Sequence, residues 1–157
     1  MKIDIATVLP CTVDQAVSQV MTTRLLQYVA YPLVSFRSAG AAPLPETWTA
    51  GTHWVSLTLL RFLPLGRQAI VISMPPAERG FALRDAGHSA MIPVWDHLIT
   101  IEPTTGGILY RDQVDVRARM LTPLIWLFAQ VFYRHRQRRW RQLVASGFAY
   151  QSRRPGG

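Results

Sequence analysis

The residues best suited to bind a ligand or catalyse a reaction are a histidine and an aspartate on two neighbouring predicted strands. The segments VWDHLITIE and GILYRDQVDV predict a β-hairpin whose loop is Pro103–Gly106. In that register His97 lies opposite Asp112 on a face that is otherwise mostly apolar, so we expect this face to be the interior one. The predicted opposite pairs are Trp95–Val114, His97–Asp112 and Ile99–Tyr110.

An imidazole beside a carboxylate is compatible with three roles. The two groups can simply satisfy each other's hydrogen bonds. They can instead orient a polar group of a ligand, or His97 can act as a general base that Asp112 holds in place. The sequence leaves these roles open, so both residues are candidate ligand contacts and candidate catalytic residues.

Other residues that could do chemistry give weaker signals. His53 and His88 fall at a strand start and in a turn, and Asp85 is equally compatible with a turn. The sequence has no metal-spaced ligand cluster and no phosphate-binding loop, so we expect neither a metal nor a cofactor. Cys11 is the only cysteine, which excludes an intrachain disulfide and favours a cytoplasmic location.

Arginines crowd the second half of a long predicted helix near the end of the chain. At about 100° per residue, Phe128 and Phe132 share an inward stripe with Arg136 and Arg139. A cation that faces the core needs a carboxylate or a bound anion as its partner. Arg136 and Arg139 are therefore candidate anion contacts.

Three further arginines, Arg134, Arg138 and Arg141, are expected on the solvent side of that helix. The simplest interpretation is a solvated helix end, but the net charge of +8 makes an anionic membrane surface a candidate partner. Nucleic-acid binding is disfavoured because cations also complement the carboxyl end of a helix and no recognition motif accompanies them.

The elements that position these residues are a strand, two short helices, six strands and a long helix. Thr12 and Gln15 predict a capping box for a helix from about Val13 to Met21, and a second helix ends before Pro32. Turn residues divide 33–117 into six strands with separators too short for crossover helices, so the sheet should be antiparallel.

The last helix has the clearest boundaries. Thr122 is its predicted N-cap, Pro123 its first residue, and Gly147 stands where it should stop. Its residues, at about 1.5 Å each, form a rod long enough to cross a whole sheet. One helix cannot fill the concave side of a twisted sheet, so we expect a cavity between them.

The length and composition of the chain fit a single packed domain. Of 157 residues, 49% are hydrophobic and only 17% charged, so much apolar surface must be buried. We predict a single domain at residues 1–150 and a disordered tail at residues 151–157. The longest stretches without a charged residue have fourteen residues, fewer than the roughly 20 that a membrane-spanning helix needs.

Several motifs occur in an order known from one superfamily. They are GFALRD at 80–85, Trp95-Asp-His97, Gly106-Gly107, Tyr110-Arg-Asp112-Gln-Val114 and FYRHRQRRWRQL at 132–143. In these motifs the chain resembles the SRPBCC superfamily, the helix-grip proteins related to START lipid-binding domains, polyketide cyclase/dehydrases and birch-pollen-allergen-like proteins. The resemblance implies an α+β helix-grip fold, with a curved seven-stranded antiparallel sheet, two short helices and a long C-terminal helix over the concave face.

The same resemblance implies a deep apolar cavity that holds lipids, polyketides, hormones or quinones. We therefore expect a hydrophobic small molecule whose polar end is fixed by His97, Asp112 and Tyr110. Binding is the preferred function. The alternatives are a cyclase- or dehydratase-type enzyme that uses His97 and Asp112 on a polyketide-like substrate, and a peripheral membrane protein that delivers lipid. The predicted ligand contacts are Trp95, His97, Ile99, Tyr110, Asp112, Val114, Phe128 and Phe132.

Overall fold

The computed structural model describes residues 1–150, so the tail predicted at residues 151–157 lies outside the described residues. A single turn of 3-10 helix, Arg119–Leu121, precedes the last helix. The strands and helices are β1 (Lys2–Leu9), α1 (Val13–Val20), α2 (Thr23–Ala30), β2 (Val34–Ser38), β3 (Gly51–Leu59), β4 (Leu63–Ser73), β5 (Phe81–Ser89), β6 (Val94–Thr104), β7 (Gly107–Arg117) and α3 (Thr122–Ala145).

In the described part of the chain, seven strands form one curved antiparallel sheet in the order β1-β7-β6-β5-β4-β3-β2. Each strand from β3 to β7 pairs with the one before it, and the connections from β3 onward are short. The helices α1 and α2 connect the two edges of the sheet, since β1 and β2 lie at opposite ends of that order. The predicted fold class is confirmed.

The predicted register of the β6–β7 hairpin is wrong by two residues. Thr104 pairs with Gly107, which leaves only Thr105 and Gly106 in the loop where four residues were expected. An even shift keeps every side chain on its predicted face. His97 consequently lies opposite Val114, and the other observed pairs are Trp95–Val116, Ile99–Asp112 and Ile101–Tyr110.

The two short helices form as their sequence predicts. At the start of α1, the Thr12 hydroxyl accepts a hydrogen bond from the Gln15 amide at 3.1 Å, and the Thr12 amide donates to Gln15 Oε1 at 3.0 Å. This confirms the capping box. At the start of α2, Thr22 Oγ1 accepts from the Leu25 amide at 3.1 Å.

Helix α3 stops where the sequence predicts but starts one residue earlier. Thr122 is the first helical residue, and its hydroxyl donates to the carbonyl of Arg119 at 2.7 Å, so the prediction that Thr122 is the N-cap was wrong. The hydroxyl is taken up by the preceding 3-10 turn. At the other end Gly147 adopts φ 66°, and the Phe148 amide donates to the carbonyl of Leu143 at 2.9 Å. This is the glycine-terminated stop that the sequence predicts.

Helix α3 lies over β1 and β7, along one side of the concave face. Gln137 Nε2 donates to the carbonyl of Ile5 at 2.8 Å, and Trp126 Nε1 donates to the carbonyl of Lys2 at 2.9 Å. These contacts hold the rod near one edge of the sheet. Helix α3 therefore packs on β1 and β7 and reaches β6 through Tyr133, which contacts Trp95 and His97.

Candidate functional site

A cavity of about 450 Å³ lies between the concave face of the sheet and the helices. Side chains of β2 to β6, α2 and the first turns of α3 form its mostly apolar wall. Cavities that hold small organic molecules measure about 300–1,000 Å³. Two lining residues, Met91 and Leu124, are 50% and 66% exposed, so the cavity reaches the surface between the β5–β6 turn and α3.

His97 and Asp112 meet inside the molecule as diagonal neighbours on β6 and β7. His97 Nε2 lies 2.8 Å from Asp112 Oδ1. Burial lowers the pKa of His97, and the hydrogen bond with Asp112 opposes this without reversing it, so the imidazole is neutral at pH 7. Because an ionised carboxylate only accepts hydrogen bonds, Nε2 carries the proton and Nδ1 keeps a lone pair.

Asp112 is the centre of a buried hydrogen-bond network. Its Oδ1 accepts from the Tyr110 hydroxyl at 3.1 Å, and its Oδ2 accepts from Gln137 Nε2 at 3.2 Å. Burial opposes ionisation of Asp112, but the His97 hydrogen bond and the charge of Arg136 together hold its pKa below the usual range. The carboxylate is therefore charged, fully enclosed and well satisfied.

Arg136 brings a positive charge to the cavity wall. It is only 5% exposed, its Nη2 donates to the Tyr110 hydroxyl at 3.1 Å, and its Nε lies 3.7 Å from Asp112 Oδ1. That Nε has no hydrogen-bond partner within residues 1–150. Asp112 is thus the carboxylate that the sequence required for a core-facing arginine, while Arg136 still lines the cavity.

Tyr133 completes the wall beside the imidazole and was missed by the sequence analysis. Its ring centroid lies 4.9 Å from that of His97, and its hydroxyl accepts from Trp95 Nε1 at 3.0 Å. The available signal was helical spacing. Tyr133 lies four residues after Ala129 and four before Gln137, and all three are buried.

A second carboxylate, Asp85 on β5, also lines the cavity. It lies directly opposite His97 in the β5–β6 pairing, and its Oδ1 accepts from the Val71 amide at 2.8 Å. Burial raises the pKa of Asp85 to about 7, against the Val71 hydrogen bond and the charge of Arg136. Asp85 is a strand residue and not a turn residue.

A family model described as "Domain of unknown function (DUF8410)" matches residues 9–144. The chain belongs to this family. In a comparison with curated protein sequences, none matched this member of DUF8410.

Solved structures with the same fold cover nearly the whole chain. A protein from Nitrosomonas europaea superposes with a TM-score of 0.67 at 12% identity, over 96% of this chain and 97% of that one. A START superfamily protein from Mycobacterium smegmatis gives 0.60 at 10% identity, over 92% and 97%. An AHSA1-like protein from Aeromonas hydrophila gives 0.58 at 10%, over 98% and 99%. The DUF8410 chain thus has an SRPBCC-type, helix-grip fold, as the resemblance predicted.

The structure places the predicted ligand contacts in two groups. Tyr110, Asp112 and Val114 were expected in the cavity wall, and the structure corrects this, because α3 lies over β7 and buries them beneath it. The remaining predicted residues do line the cavity. They are Trp95, His97, Ile99, Phe128, Phe132 and Arg136.

Arg139 does not face the cavity, contrary to its predicted position. Its guanidinium lies 4.0 Å from the centroid of the Tyr28 ring, and its Nε donates to the Tyr28 carbonyl at 3.3 Å. The reason is that α2 packs against this side of α3. The prediction of Arg139 as an anion contact in the site is therefore corrected, and Arg136 alone of the two reaches the cavity.

The surface arginines lie where the sequence placed them. Arg134, Arg138 and Arg141 are exposed on the outer side of α3. Within residues 1–150 no helix is long and apolar enough to cross a membrane. The same residues contain no group of three or more His, Cys, Asp and Glu side chains placed to hold a metal ion.

Proposed function

We propose that the protein binds a hydrophobic small molecule, of lipid, polyketide or aromatic type, in the cavity between the sheet and α3. The observation that carries this proposal is a cavity of about 450 Å³ with a mostly apolar wall that includes a few polar side chains. Apolar surface supplies affinity, and a few polar groups set the orientation of the ligand. The START superfamily protein that shares the fold is consistent with such a role.

The polar end of the ligand is oriented by His97 and Arg136. His97 offers an acceptor lone pair at Nδ1, and Arg136 brings a charged guanidinium to the cavity wall. An oxygen-bearing group can thus accept from the arginine while it donates to the imidazole. Asp112 is buried and does not line the cavity, but its hydrogen bond with His97 fixes the tautomer of the imidazole.

The proposal is tested by filling the cavity. Leu57 lines it from β3, so Leu57→Trp places an indole in the space that a ligand needs. We expect the affinity for a fluorescent apolar probe such as 1-anilinonaphthalene-8-sulfonate to fall at least about tenfold, a loss of roughly 1.4 kcal/mol. Thr52→Trp is the matched control, because Thr52 is exposed on the same strand and should leave affinity unchanged. Equal probe affinity in the wild type and both variants would contradict the proposal.

A second candidate function, lipid delivery at a membrane, is favoured by the outer surface of α3. Leu124, Leu127 and Val131 are between 56% and 66% exposed, and they follow one side of the helix that continues into Arg134 and Arg138. This side of α3 is apolar beside the cavity mouth and basic in its second half. The apolar half can insert into a bilayer while the basic half binds anionic headgroups.

Vesicle binding tests this second candidate. We expect co-sedimentation with vesicles that contain phosphatidylserine at low salt, and release at high salt because the charges are then screened. The double variant Arg134→Gln with Arg138→Gln should bind less than Arg37→Gln with Arg79→Gln, which removes the same charge from other exposed positions. Equal binding by the two double variants would reject this surface as the membrane contact.

A further inference from the structure

The wall of the cavity contains a second set of polar groups, on β4 and β5, that the site above does not use. Gln68 lines the cavity and is 7% exposed, yet its side chain makes no hydrogen bond within residues 1–150. Asp85 lines the same cavity and uses only Oδ1 in its bond to the Val71 amide. Gln68 is not among the fully enclosed side chains that lack a partner in residues 1–150, so its amide is open to the cavity and can hydrogen-bond to a group that enters there.

Gly87 brings these two side chains to a common point. A Cβ built on Gly87 would lie 3.2 Å from Asp85 Oδ1 and 3.3 Å from Gln68 Nε2. The same Cβ would lie 3.0 Å from the carbonyl oxygen of Ala69, so any larger residue would crowd this corner. Asp85 Oδ1 and Gln68 Nε2 both lie within 3.3 Å of this one point, so they are close enough together for one small polar group on the cavity side to contact both.

The chemistry of this corner suits a neutral group that both donates and accepts. Gln68 offers an amide donor and an amide acceptor, and a carboxyl group accepts in either protonation state and donates when it is protonated. Arg136 lies near enough for its charge to act on Asp85, which disfavours a cationic group there. Asp85 disfavours an anion whenever it is ionised. A hydroxyl satisfies all of these conditions.

We propose that Gln68 and Asp85 form a subsite that binds a hydroxyl group, alcoholic or phenolic, on the hydrophobic ligand. This subsite rests on the proposed binding function and narrows the ligand to hydroxylated apolar molecules. It lies across the β5–β6 pairing from His97, which is directly opposite Asp85. A ligand with two oxygen functions can thus be held at both positions.

The test compares two probes of nearly equal size, 4-hydroxybiphenyl and 4-methylbiphenyl, by isothermal titration at pH 6. The wild type should bind the hydroxyl compound at least about tenfold more tightly, because a site built for a hydroxyl rejects an analogue that lacks it. Gln68→Met keeps the length of the side chain and should abolish this preference while it preserves affinity for the methyl compound. Asp85→Val should reduce the preference in the same way.

The outcomes separate the subsite from the function on which it rests. Equal binding of the two probes by the wild type, or an undiminished preference in both variants, would overturn the subsite and leave cavity binding intact. Failure of the wild type to bind either probe would overturn both. Thermal unfolding of each variant confirms that it is folded before titration. If Asp85→Val does not fold, Gln68→Met decides the question alone.

Discussion

Asp85 and Asp112 are two inward-facing aspartates on one sheet, and their surroundings give them opposite protonation behaviour. Asp112 is held ionised by His97, Arg136 and two further hydrogen bonds. Burial disfavours the ionised form of Asp85, and its single backbone hydrogen bond offsets only part of this effect, so its pKa rises to about 7. The carboxylate under α3 therefore acts as a fixed structural charge, whereas Asp85 is a group that can change its charge at the cavity wall.

This difference predicts a pH dependence of stability that Asp85→Asn should remove. The native pKa of about 7 exceeds the unfolded value of about 3.9, so the native state binds more protons between these values. The stabilising contribution is complete below about pH 4 and is lost as the pH rises to about 7. Asparagine does not titrate, and its Oδ1 can still accept from Val71.

Urea unfolding at pH 5 and pH 8 measures this effect. Relative to the wild type, Asp85→Asn should be more stable at pH 8 than at pH 5 by roughly 2 kcal/mol, given about 1.4 kcal/mol per unit of pKa shift and partial relaxation of the native state. Groups common to both proteins, such as His97, cancel in the comparison. A difference in unfolding free energy that does not vary with pH would contradict the assignment of a raised pKa to Asp85.

His97 is the residue at which binding and catalysis can be separated. Under the binding proposal, His97→Ala should weaken binding of a ligand with two hydroxyl groups, such as 4,4′-dihydroxybiphenyl, by roughly 3- to 10-fold, as expected for one lost hydrogen bond of about 1 kcal/mol. His88→Ala is the control, because His88 is exposed. If His97→Ala instead abolishes turnover of a polyketide-like substrate and leaves its binding unchanged, the cyclase- or dehydratase-type enzyme becomes the better description.

At the scale of elements, the sequence predicted the order, number and direction of strands and helices because capping residues and turns are local signals. It could not determine the register of β6 and β7. The register with a loop at Pro103–Gly106 and the register with a loop at Thr105-Gly106 bury the same face of each strand. The hydrophobic pattern therefore does not distinguish the two registers. The contact of His97 with Asp112 survives the error because diagonal neighbours are also within reach of long side chains.

The position of α3 was likewise beyond the sequence. Helical spacing correctly placed Phe132 and Arg136 on the inner side, but it could not show that β1 and β7 lie beneath them. Nor could it show that α2 would take up Arg139. Spacing along one helix defines a face, whereas the partner of that face depends on where the other elements lie.

The hairpin glycines give a prediction at this scale. In Gly107→Ala the new Cβ would lie 2.0 Å from the carbonyl oxygen of Leu9, so β1 could not keep its place beside β7, and we expect a cost of about 3 kcal/mol or more. Gly106→Ala meets no atom within 4 Å and should cost only about 1 kcal/mol for its positive φ. Chemical unfolding of the pair measures the difference. Equal destabilisation would show that β1 adapts easily at this point.

For the whole molecule, the cavity follows from an off-centre helix over a curved sheet. Helix α3 packs mainly on β1 and β7, α1 and α2 cover part of the rest, and the remaining inner surface faces the cavity. A hydrophobic ligand would act as the missing part of the core. Such a ligand stabilises the native state in proportion to the logarithm of its concentration over its Kd.

The most direct measurement of the central claim is native mass spectrometry of the freshly purified protein, alone and after incubation with 4-hydroxybiphenyl. Binding in the cavity predicts a one-to-one complex for the wild type and for Thr52→Trp, with the added mass released on denaturation. Leu57→Trp should give the mass of the bare polypeptide under the same conditions. A wild-type spectrum with the bare polypeptide alone, or a complex that Leu57→Trp forms equally well, would contradict the account.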